Sequence, residues 1–271
     1  MTVSRARRRS LRSLVGSALF GTIVAASAAP LSVADAFKTS PIASRGNAVL
    51  QPQFRGSAGF GKSFELAGYG QWGRAMQDDV TAGAEWLVAQ GIADPRRMCI
   101  YGGSYGGYAT LWALVKTPKL FRCGASLAGV SDLNLMLTDD SDTNDSELGR
   151  LLRRRYVGAK EDGKQFDEVS PLKGASRIEV PVLLAHGNLD KRVPIVHSEK
   201  MLEALRANGK SAEWIYLRGE RHGVAFDENR ELYYKTLFDF LARNTAAPDA
   251  PASDSQAALA PAGAAPAPPT H

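Results

Sequence analysis

The stretch MCIYGGSYGGYATLWALV, residues 98–115, decides the fold. It contains Gly102-Gly103-Ser104-Tyr105-Gly106, which fits the pattern G-x-S-x-G, between an apolar strand-like run and an apolar helix-like run. A chain that turns sharply from a strand into a helix crowds the positions two before and two after the turn, so these must lack bulky side chains. We therefore predict a nucleophile elbow that projects the Ser104 hydroxyl and leaves the Tyr105 backbone N–H to stabilise an oxyanion. A glycine-rich turn without chemistry is the alternative.

A nucleophilic serine needs a base that takes its proton, and the chain has four histidines. His271 lies near the end of the chain, and His197 falls on a predicted helix. His186 ends a buried strand, and we interpret it as structural. His222 lies in GERHGVAF, between the last predicted strand and the last predicted helix. It is therefore the predicted base.

The base in turn needs an acid that orients it. Asp190 lies in HGNLDKRVP, the loop that leaves the preceding strand, and gives the chain order Ser104, Asp190, His222. This is the chain order of nucleophile, acid and base that accompanies a G-x-S-x-G elbow. Asp132, directly after the strand at 123–130, competes for the role, although capping of the next helix would also explain it. We predict Asp190.

Strand-like and helix-like patterns alternate from residue 46 onward. Asp78 and Asp79 are predicted to cap a helix that ends at Gly91. The apolar runs are continuous, which indicates strands buried on both faces, as in a mostly parallel sheet between helices. The predicted strands are 47–54, 98–102, 123–130, 180–187 and 213–217, and the later helices are about 105–115, about 195–207 and a last one that carries residues 232–241. Residues 131–175, with an acidic and then a basic cluster, are predicted to form a solvated helical excursion.

Composition narrows the class of protein. The 271 residues are 44% hydrophobic and 23% charged, as in an ordinary globular domain. The net charge of +5 arises from five arginines within the first twelve residues, so the rest is neutral and no nucleic-acid partner is predicted. No metal-ligand spacing is present, and the G-x-G-x-x-G match at 68–73 follows no strand, so we predict no metal and no cofactor. Cys99 and Cys123 are either two buried thiols or, if they begin neighbouring strands, a disulfide.

The two ends of the chain differ from its centre. The arginines precede the apolar run 14–30, which contains Ala26-Ser27-Ala28 and is typical of a signal peptide rather than of a stable membrane span. We therefore expect a leader over 1–36, a hydrolase domain over 37–245 and a disordered Ala/Pro-rich tail over 246–271. The protein is expected to be exported, periplasmic or secreted, if the leader is a signal peptide, and cytoplasmic otherwise. Nothing in the sequence indicates an oligomeric state.

Several motifs in order resemble one family. SRGNAVLQPQFRGSAGFGKSF, GQWGRAMQDDV, GIADPRRMCIYGGSYGGYATL, VPVLLAHGNLDKRVP and RHG, within about residues 44–243, resemble the catalytic domain of the prolyl-oligopeptidase family of serine peptidases, particularly its acylaminoacyl-peptidase and dipeptidyl-peptidase-like members. The resemblance implies an α/β-hydrolase fold and a triad of Ser104, Asp190 and His222. It also implies peptide or acyl-peptide substrates and an acyl-enzyme intermediate.

The sequence departs from the family pattern before Gly46. The 271-residue sequence has no room for the family's β-propeller. The arginine-rich leader also stands where the family has its first strands and the HGGP-like loop, which supplies a second oxyanion donor. Residues 22–27 would supply a substitute strand only if they are not a signal peptide. A catalytically impaired or truncated hydrolase-fold protein, or an esterase for small acyl groups, is therefore the alternative to a peptidase.

Overall fold

One six-stranded sheet organises the chain. The structure is a computed structural model and describes residues 22–26, 42, 45–138, 154–158 and 166–246. In the order β2-β1-β3-β4-β5-β6, strands β3 to β6 are parallel, whereas β1 is antiparallel to both of its neighbours. The strands are β1 (Thr22–Ala26), β2 (Asn47–Leu50), β3 (Met98–Gly103), β4 (Cys123–Leu127), β5 (Val182–Gly187) and β6 (Ala212–Leu217).

The connections between the parallel strands are helical, as expected for crossovers that return to the same edge of a sheet. Six α-helices have both ends within the described residues: α1 (Lys62–Leu66), α2 (Ala75–Ala89), α3 (Tyr105–Lys116), α4 (Leu133–Thr138), α5 (Val196–Ala207) and α6 (Asp227–Thr245). Short 3₁₀ turns cover Pro95–Arg97, Asp167–Val169 and Pro171–Arg177.

The two faces of the sheet bury two separate apolar clusters, because successive side chains of a strand point to opposite sides. Met98 and Ile100 of β3 pack with α2, α3 and α5 on one face. Cys99 lies on the other face, with Leu237 and Phe240 of α6, which are fully buried. Burying an apolar side chain of this size contributes about 1.5–3 kcal/mol. The chain is therefore a three-layer α/β structure, in agreement with the prediction from its continuous apolar runs.

Strand β1 lies in the middle of the sheet, between β2 and β3. It falls within the predicted leader, so the alternative of a substitute strand at 22–27 corresponds to what the structure has. Its direction matters, because Thr22 is paired with Tyr101 at the carboxyl end of β3. Strand β1 therefore ends near Met98, at the amino end of β3. The rest of the leader and the tail beyond residue 246 lie outside the described residues.

Two expected boundaries are wrong. Helix α2 begins at Ala75, so Asp78 and Asp79 lie inside it and do not cap it. Asp79 instead accepts hydrogen bonds of 2.6–2.9 Å from Arg55, and Asp78 pairs with Lys116 at 2.6 Å. Strand β2 ends at Leu50 rather than at residue 54, because Pro52 has no N–H to donate to a ladder.

The predicted excursion at 131–175 is partly described. It contains α4 and the two 3₁₀ turns before Ile178, whereas most of its acidic and basic clusters lie outside the described residues. None of the described helices is both long enough and apolar enough to cross a membrane.

Cys99 and Cys123 lie directly opposite each other at the starts of β3 and β4. The structure joins them in a disulfide, with the Cα atoms 4.7 Å apart and both residues fully buried. Of the two alternatives for these cysteines, the structure therefore has the bridge.

Candidate active site

Ser104 stands between β3 and α3, at the turn that the sequence pattern predicts. Its φ of 55° and ψ of −119° are a strained conformation for a residue with a side chain. The turn is tight, since a Cβ on Gly102 would lie 2.6 Å from the carbonyl group of Gly106. The Ser104 N–H donates to the Leu127 carbonyl at 2.9 Å, which ties the turn to the end of β4. The glycines therefore permit one strained residue that neighbouring elements hold in place.

Tyr105 begins α3, so its backbone N–H is among the first of the helix, which have no partner within the helix and lie at the positive end of its dipole. Its ring lies under the turn, with ring centroids 4.5 Å from Trp72 and 5.2 Å from Phe54. Burial raises the pKa of this phenol well above its ordinary value. The ring therefore serves as packing, while the backbone N–H lies in the first turn of α3, directly after Ser104.

The predicted base and acid lie on the loops after β6 and β5. His222 Nε2 is 2.8 Å from Ser104 Oγ, and His222 Nδ1 is 2.7 Å from Asp190 Oδ2. The carboxylate has no proton to give, so Nδ1 donates to it, and the unprotonated Nε2 accepts from the serine hydroxyl. The Asp190 side chain is fully buried, whereas that of His222 is 12% exposed. The structure thus brings all three predicted residues together in one chain of hydrogen bonds.

Asp190 is held by more than His222. Its Oδ1 accepts the backbone N–H groups of Arg192 and Val193 at 2.9 and 3.0 Å, and its Oδ2 also lies 3.3 Å from His186 Nε2. Burial alone would raise the pKa of this carboxyl, but the hydrogen bonds from His186, His222 and Val193 outweigh burial and hold the pKa well below its ordinary value. The side chain is therefore an ionised acceptor.

Direct hydrogen bonds between the two loops set the distance between acid and base. The Leu189 N–H donates to the Glu220 carbonyl at 2.8 Å, and the Gly219 N–H donates to Asn188 Oδ1 at 2.6 Å. Gly187 lies where the loops meet, since a Cβ there would be 2.5 Å from the carbonyl oxygens of Glu220 and Arg221. Only glycine permits this approach.

Glu220 organises the loop that carries His222, and the sequence reasoning missed it. It is 1% exposed, and its carboxylate accepts the N–H groups of Ala225 at 3.0 Å and Phe226 at 2.7 Å, just before α6. Burial would raise the pKa of Glu220, but these backbone hydrogen bonds and one from Asn229 lower it overall. A signal was present in the sequence, because Glu220 lies six residues before Phe226, the N-cap of α6, and a carboxylate at this distance can fold back onto the N–H groups at the start of a helix.

The sequence of the chain matches a known protein family. Residues 33–247 match the prolyl oligopeptidase family. The chain belongs to the prolyl oligopeptidase family. The family predicted from the motifs is confirmed, and so is the α/β-hydrolase fold.

Three relatives illustrate the match. Dipeptidyl aminopeptidase BIII of Pseudoxanthomonas mexicana is 38% identical over 203 residues, which are 74% of this chain and 30% of the relative. A puromycin-hydrolyzing peptidase of Mycobacterium tuberculosis superposes with a TM-score of 0.69 at 30% identity, over 76% of this chain and 30% of that one. The acylaminoacyl peptidase of Pyrococcus horikoshii gives a TM-score of 0.65 at 28% identity, over 75% and 33%. The chain thus spans about a third of the length of each.

The remaining candidates have structural contacts. Asp132 accepts the N–H groups of Asn134 and Leu135 and so caps α4, which agrees with the alternative interpretation of this residue. His197 lies on α5, where its ring and carbonyl contact Ser131. His186 is buried, but it also contacts Asp190, which the interpretation as a structural residue did not anticipate. His271 lies outside the described residues, and within the described part no cluster of three His, Cys, Asp or Glu side chains is suited to a metal ion.

Proposed function

We propose that this chain is a serine peptidase domain that hydrolyses peptide or acyl-peptide bonds through an acyl-enzyme. In this mechanism Ser104 is the nucleophile, His222 the general base and Asp190 the acid that orients the base. The observation that carries the proposal is the pair of hydrogen bonds of 2.8 and 2.7 Å that joins the three residues behind a strained elbow.

Each step of the proposed mechanism uses a named atom of the site. His222 Nε2 takes the Ser104 proton as Oγ bonds to the scissile carbonyl carbon, and the carbonyl oxygen becomes an oxyanion that accepts from the Tyr105 N–H. The imidazolium then protonates the leaving amine as the C–N bond breaks, which leaves the acyl group on Ser104. Water, deprotonated by His222, attacks the ester and releases the acid and the free serine. Asp190 remains ionised throughout and stabilises the imidazolium.

The substrate class is inferred from relatives. Their names describe dipeptidyl aminopeptidase, acylaminoacyl peptidase and puromycin-hydrolyzing activities. Short peptides or acyl-peptides are therefore the proposed substrates of this chain.

A fluorophosphonate probe tests the nucleophile. We expect purified protein to take up the probe and Ser104→Ala to lose all labelling, with an unchanged urea unfolding curve. Folded protein that takes up no label would contradict the proposal, and labelling that survives Ser104→Ala would reassign the nucleophile.

The second candidate, an impaired hydrolase or a small-acyl esterase, is favoured by the direction of β1. Because β1 is antiparallel to β3, its last residue, Ala26, lies at the amino end of β3 and away from Ser104, so the end of this strand is not at the place where a second oxyanion donor is needed. Loss of one such donor typically costs about 10²–10³ in rate. Matched p-nitrophenyl ester and anilide substrates separate the candidates, since an impaired oxyanion site would still hydrolyse the activated ester but not the anilide.

We further propose that the chain works in an oxidising compartment after export. The disulfide between Cys99 and Cys123 supports this location, since such bonds persist outside the reducing cytosol. Cleavage after Ala28 would remove β1, so the intact mass of the exported protein decides whether this strand belongs to the mature chain.

A further inference from the structure

His186 is the buried group closest to the proposed triad that the mechanism does not use. It ends β5 and is fully buried. Its Nδ1 lies 2.7 Å from Ser198 Oγ on α5, and its Nε2 lies 2.8 Å from the Val193 carbonyl oxygen and 3.3 Å from Asp190 Oδ2. All three contacts are polar and inside the protein, so each one constrains the ring.

The partners determine where the proton sits. A backbone carbonyl and an ionised carboxylate can only accept, so Nε2 must carry a hydrogen and share it between Val193 and Asp190. In the neutral ring Nδ1 is then an acceptor, and the Ser198 hydroxyl donates to it. Val193 and Asp190 therefore select the tautomer in which His186 donates towards Asp190, and the Ser198 hydroxyl stabilises this tautomer as the donor to Nδ1.

The result is a chain of five side chains that is symmetric about Asp190. On one side His222 connects Oδ2 to Ser104, and on the other His186 connects the same oxygen to Ser198. With two backbone N–H groups on Oδ1, and the ring nitrogens of His222 and His186 at 2.7 and 3.3 Å from Oδ2, four N–H groups surround the carboxylate. A carboxylate offers about four such acceptor positions, so Asp190 cannot rotate without losing a hydrogen bond.

We propose that His186 is a positioning residue, held by Ser198, that fixes Asp190 Oδ2 against His222 and withdraws part of its negative charge from that histidine. This inference rests on the proposed function. The titratable groups that contact Asp190 are His186, from β5, and His222, from the loop after β6, while Arg192 contributes its backbone N–H.

Loss of the His186 donor should therefore have two effects. The freed Asp190 side chain orients His222 less well, so the rate of fluorophosphonate labelling should fall roughly 10- to 100-fold, as for other small misplacements of reacting groups. The charge on Oδ2 is also no longer shared, so the His222 imidazolium is better stabilised. The acid limb of the pH profile of labelling should then move to higher pH.

The test compares His186→Leu with His186→Gln. Leucine removes the donor, whereas the glutamine amide can place an N–H near the position of Nε2. We therefore expect slower labelling and a shifted pH profile for His186→Leu, and the wild-type labelling rate and pH profile for His186→Gln. Ser198→Ala should move the profile in the same direction by less and guards against misfolding of the leucine variant. Ser131→Ala is its matched control, since this equally buried serine donates to the His197 carbonyl and does not contact Asp190.

The outcomes separate this inference from the proposed function. Wild-type protein that takes up no label overturns both. Wild-type labelling with an unmoved profile in His186→Leu and Ser198→Ala overturns this inference alone, even if the rate falls, because a purely structural role lowers the folded fraction without changing the titration of the base. A shifted profile that glutamine restores supports it.

Discussion

Substitution of Gly187 by alanine tests whether the contact between the two loops sets the geometry of the site. The backbone of Gly187 is not in the left-handed region, so alanine can adopt it, and the effect is purely steric. The new Cβ would lie 2.5 Å from the carbonyl oxygens of Glu220 and Arg221, whereas an ordinary contact is at least 3.4 Å. The loop before His222 must therefore move by about 0.9 Å. Added to the 2.7 Å between His222 and Asp190, such a shift gives about 3.6 Å, beyond hydrogen-bond range.

We expect Gly187→Ala to lower the rate of fluorophosphonate labelling roughly 100-fold, because misplacement by about 1 Å has this effect on reacting groups. Overpacking should lower the free energy of unfolding by about 1–3 kcal/mol, measured by urea denaturation, which leaves a domain of ordinary stability folded.

Gly83→Ala on α2 is the matched control. Its Cβ would lie 3.1 Å from the flexible end of the Leu50 side chain and 3.7 Å from Pro52 Cβ, which is an ordinary contact. Alanine also favours a helix by about 1 kcal/mol, so labelling should not change. Labelling of Gly187→Ala at the wild-type rate would refute the reasoning, since the loops would then tolerate separation.

Three further predictions concern charge and the disulfide. Asp190→Asn should lower the labelling rate roughly 10⁴-fold, because the amide favours the wrong tautomer of His222. Hydrogen bonds lower the pKa of Asp190 in the folded state, so its carboxylate stabilises the fold above the unfolded pKa of about 3.9 and loses this effect as the pH falls below that value. The difference in free energy of unfolding between wild type and Asp190→Asn, measured in urea, should therefore shrink below about pH 4. Glu220→Gln should lower the free energy of unfolding by about 1–3 kcal/mol at pH 7 and by less near pH 4, because the pKa of Glu220 is also lowered; an equal loss at both values would contradict the role of its charge. Cys99→Ala with Cys123→Ala should lower the free energy of unfolding by about 3–4 kcal/mol, given 24 residues of separation, and a melting curve like that of the wild type would show that the bond does not form.

The elbow could be predicted from the sequence because its requirements are local. Strand, strained serine and helix follow one another within residues 98–116, and the same segment contains the glycines that the turn requires, Gly102 and Gly106. Asp190 and His222 could be predicted because parallel strands bring their carboxyl ends to one edge, so chain order becomes spatial proximity. Their distances to each other could not.

The features that sequence reasoning missed depend on partners far along the chain. The local sequence predicts that Asp79 caps a helix, but its carboxylate instead accepts a hydrogen bond from Arg55, 24 residues earlier. The sequence indicates only a buried structural histidine at His186, whereas in the structure Ser198 of α5 contacts one ring nitrogen and Asp190 of the loop after β5 lies near the other. The direction of β1 is likewise set by pairing with strands more than 20 residues away, which no local pattern encodes.

The position of β6 has a consequence for how activity would be lost. Within the described sheet β6 is the last strand and pairs only with β5, while the elbow lies on β3 between two neighbours. Strand β6 is also only partly buried, and segments with few buried contacts open with less free energy than the global unfolding of a domain. Opening of β6 would carry His222 away from a nucleophile that stays in place, so labelling should stop on warming before circular dichroism reports any loss of helix. Loss of Ser104 labelling would then report the opening of β6, and hydrogen exchange at Ile215 and Leu217 should increase over the same range of temperature.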